Sequence, residues 1–128
     1  MGEISAADVI AEAVSVLRQA GARFAYLHGS RAAGRQTQVS DIDIAAYFGD
    51  EPPEAFDVLL PPRVDLLVLD RAPLELAGRI AVTGELLFED DPVSRVRWEA
   101  TTRKIYFDEL PRIRRAHSDF VANLAARS

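Results

Sequence analysis

Apolar residues recur at helical spacing at the start of the chain, where Val9, Ile10, Ala13, Val14 and Leu17 form one stripe over residues 5–20. Ser5 stands where an N-cap is needed, Asp8 falls in the first turn, and Gly21 ends the pattern. The period then changes to two. Arg23 to Leu27 reads as a short strand, buried judging from Phe24 and Leu27. Asp41 to Phe48 alternates strictly, with Ile42, Ile44, Ala46 and Phe48 on one face and Asp41, Asp43, Ala45 and Tyr47 on the other. Val64 to Leu69 is a third strand, rich in β-formers, and Leu86 to Glu89 a short fourth.

Helical spacing returns after Pro73, with Leu74, Ala77, Ile80 and Ala81 on one face until about Thr83, and Gly84 ends it. Asp91-Pro92 supplies a cap and first helical residue for a helix through Val93, Val96, Trp98 and Ile105 to about Asp108. Pro111 is expected to separate this from a terminal helix carrying Ile113, Phe120, Val121 and Leu124. The segment 49–63 holds Pro52, Pro53, Pro61 and Pro62 and is expected to be a loop with at most one helical turn. Residues 30–35 read as a short helical turn broken by Gly34, followed by the polar loop Gln36 to Val39. Four strands with flanking helices in 128 residues predict a single α/β (α+β) domain over 1–128, one small sheet flanked by helices. Strand order and direction are not legible from periodicity.

The stretch His28 to Asp43, HGSRAAGRQTQVSDID, concentrates the candidate chemistry. A small-residue turn at Gly29-Ser30, leaving a strand and opening a helix, offers unpaired backbone N–H groups and a positive helix end, which suit a phosphate. Asp41 and Asp43 share a strand face roughly 6.6 Å apart, so both can reach the same divalent ions. Each feature has a plainer reading. A Gly-Ser turn is ordinary punctuation, and paired Asp residues at a strand start often serve turns or solvated edges.

Asp65 is the one interior charge of the third strand, and a charge there costs free energy unless it is paired or binds metal. It is therefore the natural third carboxylate, with an exposed face of an edge strand as the alternative and Asp70 as the fallback. His28 reads as a packing residue, His117 as a surface residue, and Trp98 with Tyr106 as core. Arg112, Arg114 and Arg115 form a basic cluster that reads as a solvated face.

Composition narrows the partners. The net charge of −5 argues against loose association with nucleic acid, which needs a basic surface. An acidic surface favours solubility and speeds encounter with a basic protein partner. The absence of Cys excludes disulfides and thiolate metal sites, and with two distant His zinc is a poor fit. The N-terminus lacks a signal-peptide pattern and no apolar run is long enough to cross a membrane, so a soluble, cytoplasmic protein is expected.

Gly29-Ser30-Arg31, Gly34 and Ser40-Asp41-Ile42-Asp43 resemble the GSRxxG…SDxD signature of the polymerase-beta-type nucleotidyltransferase superfamily. The short chain and its ending resemble most the minimal nucleotidyltransferases, the antitoxin half of HEPN–nucleotidyltransferase toxin–antitoxin pairs; the likeness spans roughly Phe24 to Asp108. The resemblance implies a mixed sheet with the site at one end of the strands and a third carboxylate from a later strand, at the VDL of 64–66, hence Asp65. It further implies Mg2+ held by Asp41, Asp43 and Asp65, ATP as substrate, and Gly29, Ser30, Arg31 and Ser40 as nucleotide-binding residues. The implied reaction attaches AMP to a tyrosine of a cognate HEPN ribonuclease toxin. So little chain lies outside the core that a macromolecular acceptor fits better than a pocketed small one. Two alternatives stand: an antitoxin that neutralises its partner by binding alone, and a nucleotidyltransferase acting on a small molecule or an RNA end. Oligomeric state is not legible.

Overall fold

The computed structural model describes residues 5–29 and 41–127. The expected helical turn at 30–35, the loop at 36–39 and the expected nucleotide-binding residues Ser30, Arg31 and Ser40 lie outside the described residues.

Helix α1 spans Ala6–Gln19, and the Ser5 side chain accepts from the Asp8 backbone N–H at 3.1 Å, as its capping position predicts. The chain leaves it through Gly21, whose φ of +95° suits a residue without Cβ. Strand β1, Phe24–His28, follows, then β2, Ile42–Tyr47. The proline-rich segment contains a single 3-10 turn at Ala55–Asp57. Strand β3 covers Val64–Val68, α2 Leu74–Thr83 and β4 Glu85–Glu89. These elements fall within a residue or two of their expected positions.

The sheet runs β3-β2-β1-β4; β1 pairs antiparallel with both β2 and β4, while β2 and β3 are parallel. It is thus a mixed α/β sheet. Strand alternation divides the core in two. Ala25 and Leu27 of β1 and Ile42, Ile44 and Ala46 of β2 face α1, where they enclose Ala13 and Leu17. Phe24 and Tyr26 of β1 and Ala45 of β2 face the other way, packing with Ile80 of α2 and Trp98 of the last helix. Tyr26, Phe24, Leu17 and Ile44 are the largest fully buried side chains, and each contributes roughly 1.5–3 kcal/mol by leaving water.

The C-terminal region departs from expectation. Instead of two helices divided at Pro111, one continuous helix α3 runs Pro92–Arg127 with Pro111 inside it. Proline removes one intrahelical hydrogen bond, but Pro111 and Phe107, the residue whose carbonyl loses its donor, are both exposed. Water can satisfy that carbonyl, which lowers the cost of the proline without removing the clash of its ring with the preceding turn. Upstream of the proline α3 is anchored by packing: Trp98 lies 5.7 Å from the rings of both Phe24 and Tyr26, and Tyr106 rests against Gly78, where any side chain would collide with its ring. The Tyr26 hydroxyl donates to Glu99, which also receives Arg95 at 2.9 Å, and Arg95 pairs with Glu89 of β4. Burial and the Glu99 carboxylate push the Tyr26 phenol well above its usual range. Asp91 caps α3, accepting from the Ser94 N–H at 3.1 Å and hydroxyl at 2.7 Å, which holds its carboxyl below the usual range. Among the described residues, no helix is long and apolar enough to cross a membrane.

Candidate active site

The C-terminal end of β1 meets the N-terminal ends of β2 and β3. In the ladder, His28 is the Cα partner of Asp43, and Asp43 is the Cα partner of Asp65. Partners in register project from the same sheet face, so one row across three strands carries an imidazole and two carboxylates. It is the face that packs on α2 and α3 farther along the strands. The parity that buries Ile42 and Ile44 against α1 turns Asp43 the other way, and the same parity places Val64 and Leu66 opposite Asp65.

Asp65 lies on an edge strand and is exposed, as its plainer reading held, yet it stands directly beside Asp43. Asp41 precedes the first residue of β2. Its side chain is 62% exposed, and its Oδ1 lies 3.9 Å from Arg63 Nε. The arrangement brings Asp43 and Asp65 together and leaves Asp41 at the rim.

Asp70, the fallback carboxylate, serves elsewhere. Its two oxygens accept the backbone N–H groups of Phe48 at 3.0 Å and Gly49 at 2.7 Å, so it secures the opposite end of β2. His117 is exposed and lies 3.2 Å from Glu75, and Arg112 pairs with Glu109 at 3.4 Å on an exposed stretch of α3.

Gly29 has φ +75°, and a Cβ there would sit 2.5 Å from Asp43 Oδ2. Glycine is thus required twice, for the left-handed backbone and for the close approach of the turn to the carboxylate. His28 contributes more than the packing expected of it. Its Nε2 is buried with no hydrogen-bond partner among the described residues, and burial lowers its pKa while the Asp43 charge opposes that shift. The sequence signal was a histidine ending a strand directly before the Gly-Ser turn; its partner strand was needed to see the row.

Among the described residues, no three His, Cys, Asp or Glu side chains converge closely enough to hold a metal ion by themselves. Hard oxygen donors from two neighbouring carboxylates nevertheless fit Mg2+, which commonly takes one or two carboxylates and completes its shell with water and substrate phosphate. Gly29 passes so close to Asp43 that not even a Cβ fits between them, so an ion held by the carboxylates would lie directly beside the turn.

Comparison with known proteins agrees with this geometry. The family model for Polymerase beta, Nucleotidyltransferase matches residues 12–93. No curated protein matches the chain. Among solved structures, a chain of a toxin–antitoxin complex with AMP-PNP is 25% identical, with a TM-score of 0.72 and coverage of 88% of this chain and 97% of that one. A chain from a point mutant of an MntA toxin–antitoxin complex is 27% identical, with a TM-score of 0.67 and coverage of 85% and 94%. The fold is shared also by a chain from a complex of tri-AMPylated Shewanella oneidensis HEPN toxin with MNT antitoxin, 21% identical, TM-score 0.54, coverage 81% and 92%. With its family model covering more than half its length and the carboxylate row in place, the chain belongs to the polymerase beta nucleotidyltransferase family.

Proposed function

We propose that this protein is a nucleotidyltransferase-type antitoxin that moves AMP from ATP onto a tyrosine hydroxyl of a cognate HEPN ribonuclease toxin. The observation that carries the reading is the in-register pair Asp43 and Asp65 beside the left-handed Gly29 turn. The similar chain solved with AMP-PNP in a toxin–antitoxin complex supports an adenine nucleotide and a protein partner.

Asp43 and Asp65, with Asp41 at the rim, are the carboxylates that would hold Mg2+. When bound, the ion supplies positive charge against the phosphate oxygens of the triphosphate. Gly29 keeps the turn free of a side chain beside Asp43, so that a phosphate would reach the ion the carboxylates hold, and Ser30, Arg31 and Ser40 belong to the same proposed phosphate-binding segment. The acceptor oxygen forms a bond to the α-phosphorus as the bond to pyrophosphate breaks. Asp65, exposed at the sheet edge where a macromolecular acceptor has access, takes the proton from that hydroxyl.

The test uses ATP labelled at the α-phosphate, the partner toxin and this protein. Label is expected on the toxin and absent with Asp43→Asn. Full neutralisation of the toxin by the unlabelled Asp43→Asn mixture would replace transfer by simple coverage.

A further inference from the structure

A cavity of about 300 Å³ lies at the opposite end of the sheet from the carboxylate row, between β2 and α3. Its walls are Arg23, Tyr47, Ser94, Arg97, Trp98, Thr101 and Thr102. The α3 residues fall at i, i+3, i+4, i+7 and i+8, so one helix face supplies them all. Tyr47 is four residues along β2 from Asp43, roughly 13 Å at ~3.3 Å per residue. The buried rings of Phe24 and Tyr26, packed against Trp98, fill the space nearer the sheet centre.

The lining carries two guanidinium groups, an indole N–H and four hydroxyls, and no carboxylate. Among the described residues, the Tyr47 hydroxyl, the Trp98 indole N–H and the Thr101 and Thr102 hydroxyls have no hydrogen-bond partner, and Arg97 makes no ion pair within 4 Å. Arg23 is partly committed, donating to Ser94 Oγ at 3.1 Å and lying 3.6 Å from Asp50 and 3.9 Å from Asp91. Asp91 also feels Arg97, which offsets part of that charge, but no carboxylate lines the cavity itself. Two guanidinium groups facing a cavity with no carboxylate in its wall favour a ligand that carries negative charge. A guanidinium with surrounding hydroxyls matches a phosphate, whose several oxygens accept from many directions. Tyr47 and Trp98 offer aromatic surface to a flat group attached to it.

We propose that this cavity is a second binding site, distinct from the carboxylate row, for a small phosphate ester bearing a flat ring: a mononucleotide. A volume of about 300 Å³ is at the lower end for ligand pockets and suits one such molecule rather than a dinucleotide. The site does not depend on the transfer reaction and stands even if Asp43 and Asp65 have no catalytic role.

Trp98 is the only tryptophan of the chain, so its fluorescence reports on the cavity directly. The intact protein is titrated in EDTA with AMP and, separately, with inorganic phosphate, correcting for adenine absorbance. A saturable change is expected with both, tighter for AMP. Arg97→Gln, at an exposed position, is expected to weaken AMP by about ten-fold or more, and the isosteric Thr101→Val by about three-fold. Asp43→Asn is expected to leave the titration unchanged. Absence of a saturable signal, or an unchanged affinity in Arg97→Gln, overturns the site. Loss of the signal in Asp43→Asn would assign the binding to the carboxylate row instead. Equal affinity for phosphate and AMP would remove the ring from the proposal.

Discussion

Asp43 and Asp65 are Cα partners across the parallel pairing of β2 and β3, which sets their carboxylates side by side on one sheet face. Two strands adjacent in the sheet but separated in the chain by the proline-rich segment thus supply a single acidic unit. Groups acting as a unit lose function together when either is removed. Asp43→Asn and Asp65→Asn are each expected to lower transfer by at least about a hundred-fold, in line with loss of one electrostatic partner of a phosphoryl centre. The double variant is expected to be little worse than either single one. Initial rates of label transfer at saturating ATP check this, with thermal unfolding confirming that the Asn variants remain folded.

Two glycines at positive φ separate backbone strain from site geometry. Gly29→Ala imposes an unfavourable backbone, about 1–2 kcal/mol, and also drives a Cβ against the Asp43 carboxylate. Gly21→Ala carries similar strain at φ +95° with open space around it. Both are expected to unfold at lower temperature, but only Gly29→Ala is expected to lose transfer.

The buried phenol of Tyr26 makes stability fall at high pH. Its folded value lies above the usual one near 10, so the contribution of the neutral phenol is complete below about pH 10. It is lost as the pH rises from there toward the folded value, at up to about 1.4 kcal/mol per pH unit for one proton. Denaturant unfolding between about pH 9 and 11, around the free phenol value, is expected to show this decline. Tyr26→Phe should flatten it while costing about 1 kcal/mol at neutral pH for the lost hydrogen bond to Glu99.

Pro111 interrupts the hydrogen bonding of α3 without ending it. Pro111→Ala returns a donor to the Phe107 carbonyl and removes a residue that costs up to about 3 kcal/mol in a helix interior. Slower amide exchange over 107–120 is expected in the variant. Unchanged exchange would mean that tertiary contacts, rather than the proline, set the stability of that stretch.

Much of this architecture was legible in the chain. Strict alternation from Asp41 to Phe48 assigns Asp43 and Ile44 to opposite faces, because a strand has no other period. The lone charge in Val64–Val68 singled out Asp65, but its carboxylate is exposed on the edge strand, so register beside Asp43 rather than a cost of burial brings it to the site. What periodicity does not carry is pairing. The alignment of His28 with Asp43, and the use of Asp70 as a clamp on Phe48 and Gly49, depend on which strands meet and in what register. Pro111 misleads because its lost hydrogen bond and ring–carbonyl clash are a finite cost, which the helical turns on either side of it carry. The donor-lined cavity was hidden too, since Tyr47 and Thr101 come together only when α3 crosses the sheet.

The proposed role of the Asp43–Asp65 pair is to bind the nucleotide together with a divalent ion. Calorimetric titration with a non-hydrolysable ATP analogue, with and without Mg2+, tests it most directly. The wild-type protein is expected to bind tightly only with Mg2+, and Asp65→Asn to lose that Mg2+ dependence while remaining folded. Equal binding of the analogue by Asp65→Asn and wild type, with the same response to Mg2+, would contradict the account.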